Sequence, residues 1–453
     1  MSRSTINKQL LPVVVLSVTL SACSLFKPGT SSPGTPPPVV TKPKTEEEKK
    51  KEEEEKKKEE VKAAPFNVPA FGREVKRESY NLALFSPLYL DSVFANSLEI
   101  PGRTMPRYVL PGLDFYEGAQ LALDTLRQQG YNLNVIVYDS KSRLNSIPTL
   151  IRNRNLDAVD LIIGAVSNPE LRELSNFARE KEVNLVSATY PNSGGVSDNP
   201  FLLITNSTLK THCDALQRYV QEAFATKNIV LLRRNTPVEA RIAADIKASY
   251  EQMQSPKKSI IHEVIWSNAT SDMELSTHLL ADRPNVCIVT ALDEAGAKAI
   301  LQKLSVQAAN YPVHVFGMPT WDVMKFDDPE LQGVQVYYSS PYFNDKTNAF
   351  SRYITDYFKR VYKMRPSDMA FKGFELTYYF VKQLKDNGVY FNTAVNDTTA
   401  KKVFTDFNYQ PVYLGDGEQQ PDYFENKNIY IIQKGSSDTT DIKMSAVTSA
   451  LSR

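Results

Sequence analysis

The chain has 453 residues, 42% of them apolar, and its 53 Lys plus Arg stand against 52 Asp plus Glu. A balance this even argues against nucleic acid as the main partner, since such domains carry a visible basic excess. The length is too great for one simple core and suits two lobes.

At the amino terminus, Arg3 and Lys8 precede an apolar-leaning run from Leu10 to Leu20. A basic start, a short apolar segment and a small-residue exit make a secretory signal peptide over residues 1–22. The run covers about 11 residues, short of the roughly 20 that a membrane-spanning helix needs. The tetrad Leu20-Ser21-Ala22-Cys23 resembles the lipobox of bacterial lipoproteins at every position. That resemblance implies cleavage before Cys23 and lipidation of its thiol, with palmitate-type chains holding the protein to a membrane. More than one acyl chain supplies the two-signal anchoring that a single chain cannot.

Residues 23–78 read as a stalk. The stretch "KPGTSSPGTPPPVVTKPK" (27–44) is rich in Pro, Gly, Ser and Thr, a composition that favours extended polyproline II. In "TEEEKKKEEEEKKKEEVK" (45–62), Glu46 and Lys50, Glu47 and Lys51, and Glu52 and Lys56 stand four apart with Glu first. That order stabilises a helix by a few tenths of a kcal/mol per pair, about 0.2–0.5. No apolar face accompanies the charges, so the segment is either a solvated helix or a disordered charged linker. Its 9 Lys and 9 Glu between Lys42 and Lys62 cancel.

From Tyr80 the chain alternates strand and helix. "YNLALFSPL" (80–88) is a β-rich apolar run, and 110–130 reads as a helix ended by Gly130. Asp114 and Glu117 there have capping-box spacing, and Phe115, Ala119, Ala122 and Leu126 share one face. A second buried strand follows at 133–140, then a helical stretch at 146–155. Strand 159–166, helix 169–181 and strands 184–189 and 201–206 continue the rhythm. A second series runs through helix 208–226, strand 228–234, helix 237–253, strand 262–267, helix 271–281, strand 285–292, helix 293–308 and strand 311–318. The run 333–343 leads into amphipathic helices near 346–363 and 367–387, and the end reads as antiparallel strands around Gly415-Asp416-Gly417. Apolar strands alternating with helices imply βαβ units and parallel sheets covered on both faces. Ligands of such sheets lie beyond the carboxyl ends of the strands.

Three cysteines are present. With Cys23 lipidated, Cys213 and Cys287 remain, and their settings in a helix and mid-strand favour buried free thiols. An exported chain meets an oxidising compartment, which leaves pairing of the two as the alternative. His212, His262, His278 and His314 form no metal-ligand spacing, and no cofactor is implied. There is no G-x-S-x-G, Walker loop, H-E-x-x-H or Cys-His cluster, so the chain does not read as an enzyme.

At the strand ends the sequence resembles type I periplasmic binding proteins, the group containing branched-chain amino acid receptors. "LALFSPL", "GAQLALDTL", "LIIGAVSNPELRELSNFARE" and "VNLVSATYPNS" carry the resemblance, which covers roughly 79–435. It implies an α/β, two-lobed type I periplasmic-binding fold, each lobe a mainly parallel sheet flanked by helices. Lobe 1 would take about 79–206 and 341–403, lobe 2 about 207–340 and 404–435, with 436–453 a polar tail. The family holds an amino acid by two loops, whose matching positions are Ser167 and Asn168, and Ser187, Ala188 and Thr189. Ser167 or Asn168 can equally serve only to cap the following helix. In the second lobe the family's Tyr-Gly pair is missing, and Asp293 or Glu294 stands either as an acid for an ammonium or as an ordinary first-turn residue. The loop between Pro87 and Pro111 is far longer than the family's turn, and Tyr89, Phe94 and Tyr108 in it are candidates to line or cover the cleft.

This opening is most similar to Bacteroidota envelope proteins related to amino acid receptors. The implied function is a lipid-anchored solute-binding protein, with a small amino-acid-like ligand between the lobes and an ABC permease as partner. The alternative is a non-transport envelope scaffold or regulator of cell-wall synthesis that keeps the fold; the long stalk suits that reading. The expected location is the periplasm-facing leaflet, in the outer membrane.

Overall fold

The computed structural model describes residues 75–94, 105–224, 228–253, 259–326, 332–396, 403–415, 420–434 and 443–449. The signal peptide, the lipobox with Cys23, and the stalk up to residue 74 lie outside the described residues.

The first series comprises β1 (Tyr80–Ser86), α1 (Leu90–Val93), α2 (Leu110–Gln128), β2 (Leu133–Asp139), α3 (Ile147–Arg152), β3 (Leu161–Gly164), α4 (Asn168–Lys181), β4 (Asn184–Ser187) and β5 (Leu202–Ile204). The second comprises α5 (Leu209–Ala223), β6 (Asn228–Arg233), α6 (Pro237–Gln252), β7 (Ile261–Ile265), α7 (Asp272–Ser276), β8 (Asn285–Val289), α8 (Glu294–Gln307), β9 (Val313–Gly317) and β10 (Val334–Ser340). Helices α9 (Ala349–Val361) and α10 (Asp368–Asn387) follow, then strands β11 (Tyr409–Val412), β12 (Tyr423–Asn426), β13 (Asn428–Gln433) and β14 (Lys443–Ser449).

The strands form two seven-stranded sheets, ordered β11-β12-β5-β4-β3-β1-β2 and β14-β13-β10-β9-β8-β6-β7. Strands β1 to β5 pair in parallel and so do β6 to β10, while β11, β13 and β14 run antiparallel to their neighbours. Both faces of the first sheet are apolar because each is covered. Leu82, Leu84, Leu161 and Ile163 point to α2 and α10, and Ala83, Phe85 and Ile162 point to α3 and α4. Alternate residues take opposite faces, so a two-sided core demands the continuous apolar runs seen in the sequence.

Helices α2 and α10 touch backbone to backbone. A Cβ on Gly118 would collide with the carbonyl of Ala370, and one on Gly373 with that of Phe115. Around this contact Phe115 and Phe374 are wholly buried, each contributing about 1.5–3 kcal/mol relative to exposure.

Several sequence expectations need correction. Helix α2 begins at Leu110 with Pro111 in its first turn, so Asp114 and Glu117 lie in its second and third turns and form no capping box. Proline fixes a helical φ and starts the helix earlier than the acid would. Strand β2 is the edge of its sheet, half open to solvent, rather than a buried strand. Strands β11 and β12 belong to the first sheet, where Phe424 pairs with Leu203 and Glu425 with Ile204, and not to the second lobe. Inside the expected polar tail, Lys443–Ser449 pairs with β13 as an edge strand of the second sheet. An edge strand is held by its ladder and needs little apolar character, which hid it in the composition.

The chain therefore crosses between sheets three times, after β5, after β10 and after β12. A buried network ties the first crossing to the third. Lys427 Nζ donates to Glu425 Oε2 and to Thr211 Oγ1, both at 2.8 Å, and Thr208 N donates to Glu425 Oε1 at 2.6 Å. Cys213 and Cys287 are free and buried. Burial pushes the Cys287 thiol up to about 12, and the Cys213 thiol rises further through burial and the nearby Asp245 and Asp214. Among the described residues no helix is long and apolar enough to cross a membrane.

Candidate functional site

The carboxyl ends of strands from both sheets meet at the crossings and enclose a cavity of about 360 Å³. Asn192 after β4 represents the first lobe, and Leu292 after β8 and Thr320 after β9 represent the second. Ser340 and Tyr342 line it from the second crossing, and Lys372 from α10. A smaller space of about 70 Å³ adjoins it, sharing Asp322, Ser340, Tyr342 and Lys372. Ligand sites in open α/β sheets fall beyond the carboxyl ends of strands, and this cavity has that position in two sheets at once.

Side-chain hydrogen bonds from the crossings fasten the segments around the cavity. Tyr342 Oη donates to the Ala188 carbonyl at 2.8 Å, and Asn206 Nδ2 donates to the Thr189 carbonyl at 2.7 Å. Ser207 Oγ donates to the Asn426 carbonyl at 2.6 Å. His212 Nδ1 lies 2.9 Å from Ser339 Oγ. Burial lowers the His212 ring to about 4, against the opposing charge of Glu425, so the imidazole is neutral at physiological pH.

Lys372 is the cation of the site. Its Nζ lies 4.4 Å from the centroid of the Tyr342 ring, within cation–π range. Burial pulls its pKa down, opposed by the charges of Asp322, Asp368 and Glu375. Glu375 is committed elsewhere, accepting from the Phe404 and Thr405 amides at 2.9 and 2.6 Å and from Thr405 Oγ1 at 2.9 Å. Asp368 pairs with Lys346 at 3.4 Å.

None of the seven ligand residues expected from the sequence lines this cavity. Ser167 is the cap of α4, its amide donating to Glu170 Oε2 at 2.7 Å, and Lys141 Nζ donates to its hydroxyl at 3.2 Å. Asp293 caps α8 through the Gly296 amide at 2.8 Å and forms an ion pair with Arg234. Ala188 uses both backbone groups, its amide donating to the Gly164 carbonyl at 2.9 Å. Thr189 is half-buried beside it. Tyr89 adopts φ 55°, and its ring meets Tyr108 edge-on at 5.0 Å, with Phe94 and Tyr108 exposed. The loop is fastened by Asp139, which accepts from the amides of Leu88, Tyr89 and Leu90 at 2.9, 3.1 and 2.7 Å. Two expected atoms stand out, since Ser187 Oγ and Asn168 Oδ1 are buried with no partner among the described residues. No group of His, Cys, Asp and Glu among the described residues is arranged to hold a metal ion.

The residues that the sequence reading missed are His212, Asp322, Tyr342 and Lys372. Their signal was weak. Lys372 occupies an amphipathic helix where a lysine reads as a solvated face, and Tyr342 follows a strand in a Ser-Ser-Pro-Tyr-Phe run with no known spacing.

Two α/β lobes joined by three crossings, with a cavity at their facing strand ends, define a two-lobed binding protein rather than a single-sheet enzyme fold. A family model for periplasmic binding proteins matches residues 109–421, and the chain belongs to that family. Solved structures with the same fold include a Rhodospirillum rubrum protein reported as a branched-chain amino acid ABC transporter, 12% identical, with a TM-score of 0.58 over 81% of this chain and 99% of that one. A branched-chain amino acid ABC transporter periplasmic ligand-binding protein from Burkholderia xenovorans is also 12% identical, with a TM-score of 0.52 over 82% and 96%. An ABC transporter substrate-binding protein from Sphaerobacter thermophilus is 13% identical, with a TM-score of 0.52 over 83% and 99%. At these identities the likeness is one of fold. No curated protein sequence matches the chain.

Proposed function

We propose that the chain is a lipid-anchored solute-binding protein of the bacterial envelope, taking a small polar, amino-acid-like ligand between its lobes and passing it to an ABC permease. The observation that carries this reading is the cavity of about 360 Å³ lined by both lobes and by their crossings. Its size falls in the range of small-molecule pockets, and two lobes on crossing segments are built to close around a ligand. The lipobox at Cys23 supports an anchor facing the periplasm, with the outer membrane as the expected site.

A thermal-shift screen of amino acids, short acids, sugars, short peptides and cell-wall fragments tests the reading, because a molecule that binds only the folded state must raise its melting temperature. Native mass spectrometry of the purified body adds a search for a retained molecule. The reading fails if no compound shifts melting and nothing is retained.

A second reading is an envelope scaffold or regulator of cell-wall synthesis. One observation favours it: Ser167 and Asp293, at the family's ligand loops, are engaged in helix caps and ion pairing. In that case the screen stays silent, and cross-linking in the envelope captures a protein on the outer faces of the lobes.

A further inference from the structure

The cavity wall contains one charged group whose surroundings are incomplete. Lys372 extends from α10 to the boundary of both cavities. On one side its ammonium rests on the Tyr342 ring at 4.4 Å. That ring is itself fixed, because its hydroxyl donates to the Ala188 carbonyl at 2.8 Å. On the other side is open cavity. Among the described residues Lys372 forms no ion pair and its Nζ no hydrogen bond, although the carboxylates of Asp322, Asp368 and Glu375 act on it from a distance.

A half-buried ammonium resting on an aromatic face keeps its three N–H donors unused, and so has capacity for an acceptor from the cavity. Of the neighbouring acids, Asp322 acts on Lys372 most strongly but forms no ion pair with it, and the other two are engaged elsewhere. Glu375 is saturated by three donors from the segment at Phe404 and Thr405, and Asp368 is paired with Lys346. The second lysine of the region, Lys434, is spent on the carbonyls of Trp321 and Asp322 at 2.8 and 2.7 Å. Lys372 is therefore the lysine that lines both cavities with its ammonium donors unused.

We infer that Lys372 is the anion-recognising residue of the cleft, and that the ligand carries a carboxylate placed against its ammonium, with its body against Tyr342, Leu209 and Leu292. A monoanion suits the site better than a phosphate dianion. Three carboxylates lie within electrostatic reach of this single lysine, and each repels a second negative charge. Tyr342 is the positioning residue, since its ring sets where the ammonium stands. The inference rests on the solute-binding reading and narrows its ligand class.

The test pairs each acid of the thermal-shift screen with its primary amide, for example leucine with leucinamide, 4-methylpentanoate with 4-methylpentanamide and phenylacetate with phenylacetamide, with phenyl phosphate as the dianion arm. The expected result is a melting shift for acids and none for their amides or for phenyl phosphate. Lys372→Met should weaken the affinity for the responding acid at least tenfold, and Lys372→Arg should keep the preference for acid over amide. Melting of the ligand-free variants shows whether they fold; if Lys372→Met does not, Lys372→Gln and the acid-against-amide comparison in the wild type carry the test. If amides bind as well as acids, phenyl phosphate binds best, or Lys372→Met keeps full affinity, the inference is overturned while the solute-binding reading stands. If no member of the panel binds, the inference is overturned, while the solute-binding reading is decided separately by the wider screen and the search for a retained molecule.

Discussion

The hydroxyl of Tyr342 donates to the carbonyl oxygen of Ala188 at 2.8 Å, joining the second crossing to the end of β4. Asn206 in the first crossing grips the next carbonyl, that of Thr189, at 2.7 Å. The loop expected to present its backbone to a ligand is thus held by the first and second crossings between the sheets.

Tyr342→Phe keeps the ring beneath Lys372 and removes only the donor. The Ala188 carbonyl is then left short of one partner in a mostly buried place, a loss of about 0.5–1.5 kcal/mol for a net hydrogen bond. Urea denaturation should show that decrease with an unchanged slope. A variant as stable as the wild type would mean that water replaces the hydroxyl and that the crossing is not tied down here.

Lys427→Met addresses the other tie between the crossings. The side chains of Lys427 and Glu425 are 8% and 1% exposed, so the substitution strands a carboxylate in the interior. Breaking one side of such a pair costs about 3–5 kcal/mol. Without Lys427, burial, the largest influence on Glu425, is opposed only by the Thr208 amide and the Thr211 hydroxyl, so its pKa rises and the variant's deficit should shrink as the pH falls and Glu425 takes a proton. Converting Glu425 to Gln in the same chain should recover much of the loss at neutral pH. A small loss in the single variant would show that the pair contributes little.

How far these features were legible differs by element. The runs Leu161–Gly164 and Asn285–Val289 announce themselves, because a strand covered on both faces must be apolar throughout. The lobe membership of β12 was not legible. Its pairing of Phe424 with Leu203 spans more than two hundred residues, and local pattern carries no record of such a register. Ser167 was read as a residue able to cap its helix, and Asp293, read as a ligand acid or a first-turn residue, turns out to be a cap as well; capping and ligand binding use the same atoms, and spacing alone does not separate them. Lys372 was invisible because its role depends on the ring of Tyr342, thirty residues earlier and in another element.

Glu117 gives a pH prediction independent of the cleft. Burial, with a smaller contribution from the charge of Asp114, raises its carboxyl to about 7 from 4.5, and its Oε2 is buried without a partner among the described residues. A folded pKa above the unfolded one means that the folded protein holds the proton more tightly. The stabilising contribution is fully present below about pH 4.5 and is lost as the pH rises through about 7. Glu117→Gln should therefore be more stable than the wild type above pH 7, by about 1 kcal/mol once solvent screening is allowed for, with the difference fading toward pH 4.5. Melting curves at pH 4.5, 6 and 8 read this out, and a difference independent of pH would contradict it.

The proposed anchor rests on the resemblance of Leu20-Ser21-Ala22-Cys23 to a lipobox. Cys23→Ala should abolish labelling by a fatty-acid probe and leave an uncleaved or soluble form in cell fractions. Labelling that persists in the variant would remove Cys23 as the modified residue, since the other two thiols, Cys213 and Cys287, are buried.

Ser187 separates a ligand role in the first lobe from a merely inherited one. Its hydroxyl is fully buried and finds no acceptor or donor among the described residues, at the end of a strand where the family places ligand contacts. An unsatisfied buried polar atom is destabilising by about 1–3 kcal/mol. Ser187→Ala removes the orphan with little change in volume and should leave the free protein as stable or up to about 1 kcal/mol more stable. If a bound solute completes the hydroxyl, the same substitution should weaken binding by about tenfold, the equivalent of about 1.4 kcal/mol. Opposite signs in the two measurements are the mark of a ligand-satisfied group, because a structural hydroxyl loses stability and a neutral one changes neither. Were stability to rise while affinity for the responding acid stayed the same, Ser187 would lie outside the site. Recognition would then rest with Lys372 and the crossings, some way from the loop where the sequence placed it.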